Sequence, residues 1–144
     1  MIYQRVENIF IVRLDVGEEI LSSLTELCSQ EKITAGTISG IGAANYADIG
    51  LYEVAKRKYH GTILEEEMEI ASLNGNISRK EGKVYLHLHA AFANKQGQIF
   101  GGHLRSARIS ATAEIYIHTV PAKIERVFDE ETTGLNLIQF DPTN

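Results

Sequence analysis

Three histidines, His87, His89 and His103, stand where they could share a metal ion. Side chains alternate along a β-strand, so two histidines two residues apart point to the same side of it. Tyr85, Ala91 and Ala93 fall on that side, and Val84, Leu86, Leu88, Ala90 and Phe92 take the other. Neutral imidazole nitrogens bind zinc at about 2.0–2.1 Å, and three of them leave a fourth position for water or substrate. Zinc held in this way is a Lewis acid or a source of hydroxide at neutral pH. The competing reading is three surface histidines aligned by chance, or a hydrogen-bonded neutral cluster.

The place of His103 depends on the turn between the two strands. A three-residue loop, Lys95-Gln96-Gly97, puts glycine at the left-handed position such loops prefer. Asn94 then pairs with Gln98, Phe92 with Phe100, Leu88 with Leu104, and His89 with His103. A slip by one residue would set Phe100 against Ala91 and Leu104 against His87, turning apolar groups to the polar face. In the favoured register the His89 and His103 Cβ atoms lie about 4.5–5.5 Å apart, with His87 a diagonal neighbour at about 7–8 Å. Gly101 and Gly102, opposite Ala91 and Ala90, leave space beside the cluster. His60 and His118 lack this geometry and read as ordinary residues.

Other chemistry-bearing residues carry less. Glu114 lies on the polar face of its strand with Ser110, Thr112, Tyr116 and His118. It is a candidate general base or a partner that orients a ligand, against the plain reading of an exposed carboxylate. Cys28 belongs to the apolar stripe of a helix and reads as core. Gly40-Ile41-Gly42 lacks the third glycine and the following helix of a dinucleotide loop, so it reads as a turn or a close backbone approach.

The elements that must position these residues are mostly strands. Residues 2–14 read as one strand, apolar on both faces and therefore buried on both sides. Asp15, three residues before Glu18, has capping-box spacing, and Ile20, Leu21, Leu24, Leu27 and Cys28 follow at helical spacing with Lys32 near the end. Strands are expected over 34–39, broken by Gly40-Ile41-Gly42, then 47–58, and 68–78 with a break near Asn74-Gly75. Further strands are expected over 83–93, 98–104 and 108–118, with short edge strands over 126–129 and 135–140. Pro142-Thr143-Asn144 reads as a frayed tail. One helix among many closely spaced strands predicts an α+β fold with a mostly antiparallel sheet, in one domain over residues 1–144.

Composition narrows the function classes. Hydrophobic residues make up 44% of the 144 and charged residues 23%, ordinary for a globular domain with its own core. The net charge of −5 argues against a nucleic-acid partner, because Lys56-Arg57-Lys58 is offset by Glu65-Glu66-Glu67 and Asp129-Glu130-Glu131. One cysteine excludes an internal disulfide, no export signal precedes Tyr3, and no apolar run is long enough to span a bilayer. A cytoplasmic location and no membrane partner are expected.

Several segments together resemble the PPC domain, found alone in bacteria and archaea and beside AT-hooks in plants. They are Arg13-Leu14-Asp15-Val16-Gly17-Glu18-Glu19-Ile20, Ile38-Ser39-Gly40-Ile41-Gly42-Ala43, Glu69-Ile70-Ala71-Ser72-Leu73-Asn74-Gly75, His87-Leu88-His89-Ala90, Gly101-Gly102-His103-Leu104 and Thr112-Ala113-Glu114. The resemblance implies a compact antiparallel sheet with helix packing, a homotrimer, and His87, His89 and His103 as metal ligands. The plant partner-binding stretch Gly-Arg-Phe-Glu-Ile-Leu is replaced here by Glu66-Glu67-Met68-Glu69-Ile70-Ala71, and no Arg-Gly-Arg-Pro hook is present. The hairpin alone is also similar to that of acetolactate decarboxylase, which holds zinc with a His-x-His pair and a later His. By residue type, Arg13 and Glu114 are the candidates for the catalytic groups of that enzyme.

Three functions compete. The first is a zinc-binding protein that acts on or senses a small molecule, with a small anion as the expected ligand. The second is a DNA-binding or transcription-associated module, and the third a structural trimer whose metal only stabilises the hairpin.

Overall fold

Phe10, Val12 and Leu14 are buried while Ile11 and Arg13 alternate with them on the exposed face. This is a strand covered on one side only, not on both. The computed structural model describes residues 1–140; the expected tail at 142–144 lies outside them. The elements are β1 (Ile2–Val6), β2 (Ile9–Asp15), α1 (Ile20–Gln30), β3 (Gly36–Glu53), a 3-10 turn (Val54–Lys56), β4 (Lys58–Leu64), β5 (Met68–Lys80), β6 (Lys83–Asn94), β7 (Ile99–Thr119), β8 (Glu125–Asp129) and β9 (Leu135–Gln139).

The expected α+β class is overturned. Strands take 67% and helix 10%, a largely β fold with one main helix. The reason is that glycines expected to interrupt strands lie inside them. A Cβ at Gly75 would collide with the His87 carbonyl and one at Gly42 with that of Thr112. Glycine there allows neighbouring backbones to approach, and the strand runs on. β3 therefore continues through Gly40 and Gly42 with a bulge, and β5 runs unbroken through Asn74-Gly75, its own bulge falling between Ile70 and Ser72. The segments expected at 98–104 and 108–118 are one strand of 21 residues. Conversely, the segment expected at 2–14 is a hairpin, with Val6 paired to Ile9 and Glu7 at φ 53°. β4 was not foreseen as a separate strand.

The helix begins later than expected. Glu19 rather than Asp15 caps it, its carboxylate accepting from the Leu21 and Ser22 N–H groups at 3.1 and 2.7 Å. Glu18 instead reaches back to accept from the Asp15 N–H at 2.7 Å. Ile20, Leu24, Leu27 and Cys28 are buried against the sheet, in one core with Phe10, Leu14, Leu88, Phe92, Leu104 and Ile115.

All nine strands join one sheet in the order β1-β2-β7-β3-β5-β8-β9, with β4 on β3 and β6 bonded to both β5 and β7. Strands β3, β5, β6 and β7 thus pair in a closed ring. β7 leans first on β6 over Ile99–His103 and later on β2 over Thr112–His118. Between them the segment leading into the helix fills the edge: Gly17 N–H donates to the Ile109 carbonyl and Ile109 N–H to that of Glu18, both at 2.9 Å. Among the described residues no helix is long and apolar enough to cross a membrane.

Candidate metal centre

The hairpin between β6 and β7 forms in the expected register. Gly97 has φ 73°, the Asn94 N–H donates to the Gln98 carbonyl at 3.0 Å, and Phe92 faces Phe100 while His89 faces His103. Pairing stops at His103, so Leu88 and Leu104 are not ladder partners. From Leu104 onward β7 follows β3, beginning with Ile49. His103 therefore sits at a branch, bonded across to His89 on one side and to Gly50 on the other.

The three imidazoles converge. Their ligating nitrogens all lie within 4.8 Å of one another, and the ring centroids are 5.2, 5.2 and 5.6 Å apart. Tetrahedral zinc with bonds of about 2.0–2.1 Å needs nitrogens about 3.3 Å apart, which small ring rotations on fixed strands would reach. The donor set fits a zinc-class ion. Burial, followed by the charges of His103, Arg126 and His89, pushes the His87 pKa down to about 4. Burial also lowers that of His103. Both rings are neutral at physiological pH, the form that ligates.

The cluster opens into a cavity of about 560 Å³ lined by Gly50, Leu51, Tyr52, Tyr59, Tyr85, Gly101, Gly102, Arg126, Leu135, Asn136 and Leu137 besides the histidines. Gly50 and Gly102 lie back to back, because a Cβ on Gly102 would meet the Gly50 carbonyl. Tyr59 stands edge-on to His103 with centroids 6.4 Å apart, and burial raises its pKa, so it remains a protonated phenol.

Glu114 and Arg13 do not join this cavity. They are exposed cross-strand partners on the outer face of β7 and β2, and Arg13 donates to Asp15 at 2.9 Å. His118 is exposed on β7, and His60 contacts Glu53 at 2.9 Å on the β3–β4 hairpin. The sequence reading missed Arg126. It occupies what looked like a short edge strand, and nothing in Glu125-Arg126-Val127 marks an inward-facing cation. The structure buries it at 7% exposure, with Nε donating to Ser78 Oγ at 2.8 Å and its terminal nitrogens to the Asn136 carbonyl and Asn76 Oδ1 at 2.7 and 2.9 Å.

Solved proteins share this fold. A metal-containing protein from Archaeoglobus fulgidus superposes with TM-score 0.85 at 36% identity, covering 97% of this chain and 99% of that one. A Bacteroides thetaiotaomicron protein carrying a provisional DNA-binding name superposes with TM-score 0.93 at 31% identity, covering 96% of each chain. The bifunctional protein GlmU of Synechococcus sp. (strain JA-2-3B'a(2-13)) is 32% identical over 133 residues, 90% of this chain but 20% of that protein. The chain thus spans about a fifth of the length of the curated relatives it matches. With the profile of the Plants and Prokaryotes Conserved (PCC) domain matching residues 1–121, the chain belongs to that family.

Proposed function

We propose that the chain is a single-domain, cytoplasmic homotrimer that holds a zinc-class ion on His87, His89 and His103 and acts on or senses a small molecule there. The observation that carries this reading is the convergence of three imidazoles at an open cavity. Among the described residues no cysteine or carboxylate joins them as a fourth ligand. Structural zinc sites are usually closed by four protein ligands, whereas working sites keep one position open. When bound, the ion would supply Lewis-acid or hydroxide chemistry. The protein's own part is to hold the His87 and His103 rings neutral and to shape the space beside the cluster. The description of the Archaeoglobus fulgidus neighbour as metal-containing supports the same reading.

The outer face supports self-association. Ile2, Arg13, Glu114 and Ile41 form one cross-strand row, and Ile11 pairs with Tyr116 in the next. Ile2, Ile11, Ile41 and Tyr116 are exposed there. Large apolar side chains gathered on one face mark an association surface. Elemental analysis of tag-free protein tests the metal: close to one zinc-class ion per chain is expected, lost in His103→Ala. Protein that stays metal-free after zinc exposure would refute it.

A further inference from the structure

The hairpin of β8 and β9 lies beyond the residues matched by the family profile, yet it supplies Arg126, Leu135, Asn136 and Leu137 to the wall of the histidine cavity. It is fastened to the main sheet by a single parallel bridge, Arg79 to Glu125, by the Arg126 side chain, by Arg57 donating to the Glu130 and Glu131 carbonyls of its turn, and by Asn136 donating to the Tyr85 hydroxyl. Arg126 is buried, but its three hydrogen-bond partners, Ser78, Asn76 and the Asn136 carbonyl, are all neutral. Its guanidinium stands 4.9 Å from the Tyr85 ring centroid, which is no counter-ion either. Among the described residues no carboxylate lies within 4.0 Å of it.

Burying a cation without an opposite charge is costly, and removal of that cost is what an incoming anion would gain. A guanidinium has five N–H groups in a fork that matches a carboxylate. Three are committed, which leaves two. Among the described residues Arg126 is the only lysine or arginine lining the cavity, so the side chains there match one negative charge. The rest of the wall is built largely of tyrosine and leucine.

Resting on the metal-site reading above, we propose that Arg126 is the anion anchor of this cavity and that the site takes a monocarboxylate with an apolar body. The carboxylate meets Arg126, and the body lies among Leu51, Leu135 and Tyr85. The C-terminal hairpin is then the element that sets ligand specificity, while the family core supplies the histidines.

The test compares phenylpyruvate with phenylacetone, which has methyl in place of the carboxylate, and with inorganic phosphate, by calorimetry on zinc-loaded protein. Phenylpyruvate is expected to bind at least tenfold tighter than either. Arg126→Met should erase that preference while zinc stoichiometry stays unchanged, and Arg126→Lys should restore part of it. Equal binding of phenylpyruvate and phenylacetone, or no binding of phenylpyruvate, overturns the proposal, as does a preference that survives in Arg126→Met. Because Arg126 also fastens the hairpin, the ligand comparison on metal-free unmodified protein, where no ion competes for the carboxylate, decides the matter if that variant loses its fold. In metal-free protein the Arg126 Nε–H resonance should still shift with phenylpyruvate. Carboxylate preference without zinc binding would sink the metal reading alone, whereas zinc binding without the preference would sink the anchor alone.

Discussion

His89 and His103 are direct cross-strand partners, and the strand that carries His103 leaves its neighbour at that residue. The pair is therefore held by a short ladder closed at the far end by Gly97. Two glycines of this hairpin should respond differently to alanine. Gly97 has φ 73° with nothing near its missing Cβ, so Gly97→Ala should cost about 1–2 kcal/mol from backbone strain alone. At Gly102 the added methyl meets the Gly50 backbone and must push β7 away from β3 beside His103. Gly102→Ala should therefore weaken metal binding as well as stability. Thermal melts with and without zinc separate the two, and equal zinc affinity in both variants would contradict this account.

Metal retention should fall with acid. Ligation needs unprotonated rings, so protons and metal compete for the same nitrogens. Burial lowers the pKa of His87 and His103, which extends the ligating form to lower pH than for an exposed histidine. The ion should be kept at pH 7 and released only below about pH 6. Dialysis across pH followed by elemental analysis measures this. Release that begins above pH 7 would be the wrong sign.

The hairpin was legible because two strong local signals agree there: a glycine-bearing loop of set length, and apolar residues that only one register keeps on the core side. The long strands were less so. Gly40, Gly42 and Gly75 have the same letters whether they turn a chain or let two backbones touch, and only the neighbouring strand decides. Arg13 and Glu114 were selected by residue type, which carries no information on where β2 and β7 would place them. Arg126 was invisible because its burial depends on Ser78 and Asn76, far away in sequence.

Cys28 should be inert in the native protein. It is fully buried against the sheet, and burial pushes its pKa up to about 12. Since the thiolate is the reactive form, Ellman's reagent should find no thiol in native protein and one per chain in guanidinium. Rapid native labelling would show that α1 opens readily.

Duplex DNA should bind weakly. The net charge is −5, and Arg13 on the outer face is already paired with Asp15. Few counterions can be released, so affinity near 150 mM salt should be no better than micromolar and the salt slope shallow. Fluorescence anisotropy with a labelled duplex decides the matter, and a submicromolar complex with a steep slope would revive the DNA reading.

Assembly provides the last expectation. Ile11 and Tyr116 are paired across β2 and β7 on the outer face, and Tyr116 is 45% exposed in the isolated chain. If that face is the subunit contact, three chains of 16.0 kDa should scatter light as a particle of about 48 kDa. Tyr116→Lys would place a charge among Ile2, Ile11 and Ile41, where an interface would have to bury it unpaired. The variant should dissociate toward 16.0 kDa chains while keeping its zinc, because His87, His89 and His103 open to a different cavity. A trimer that survives this substitution would move the interface to another face. A monomer at micromolar concentration in the unmodified protein would end the trimeric reading altogether.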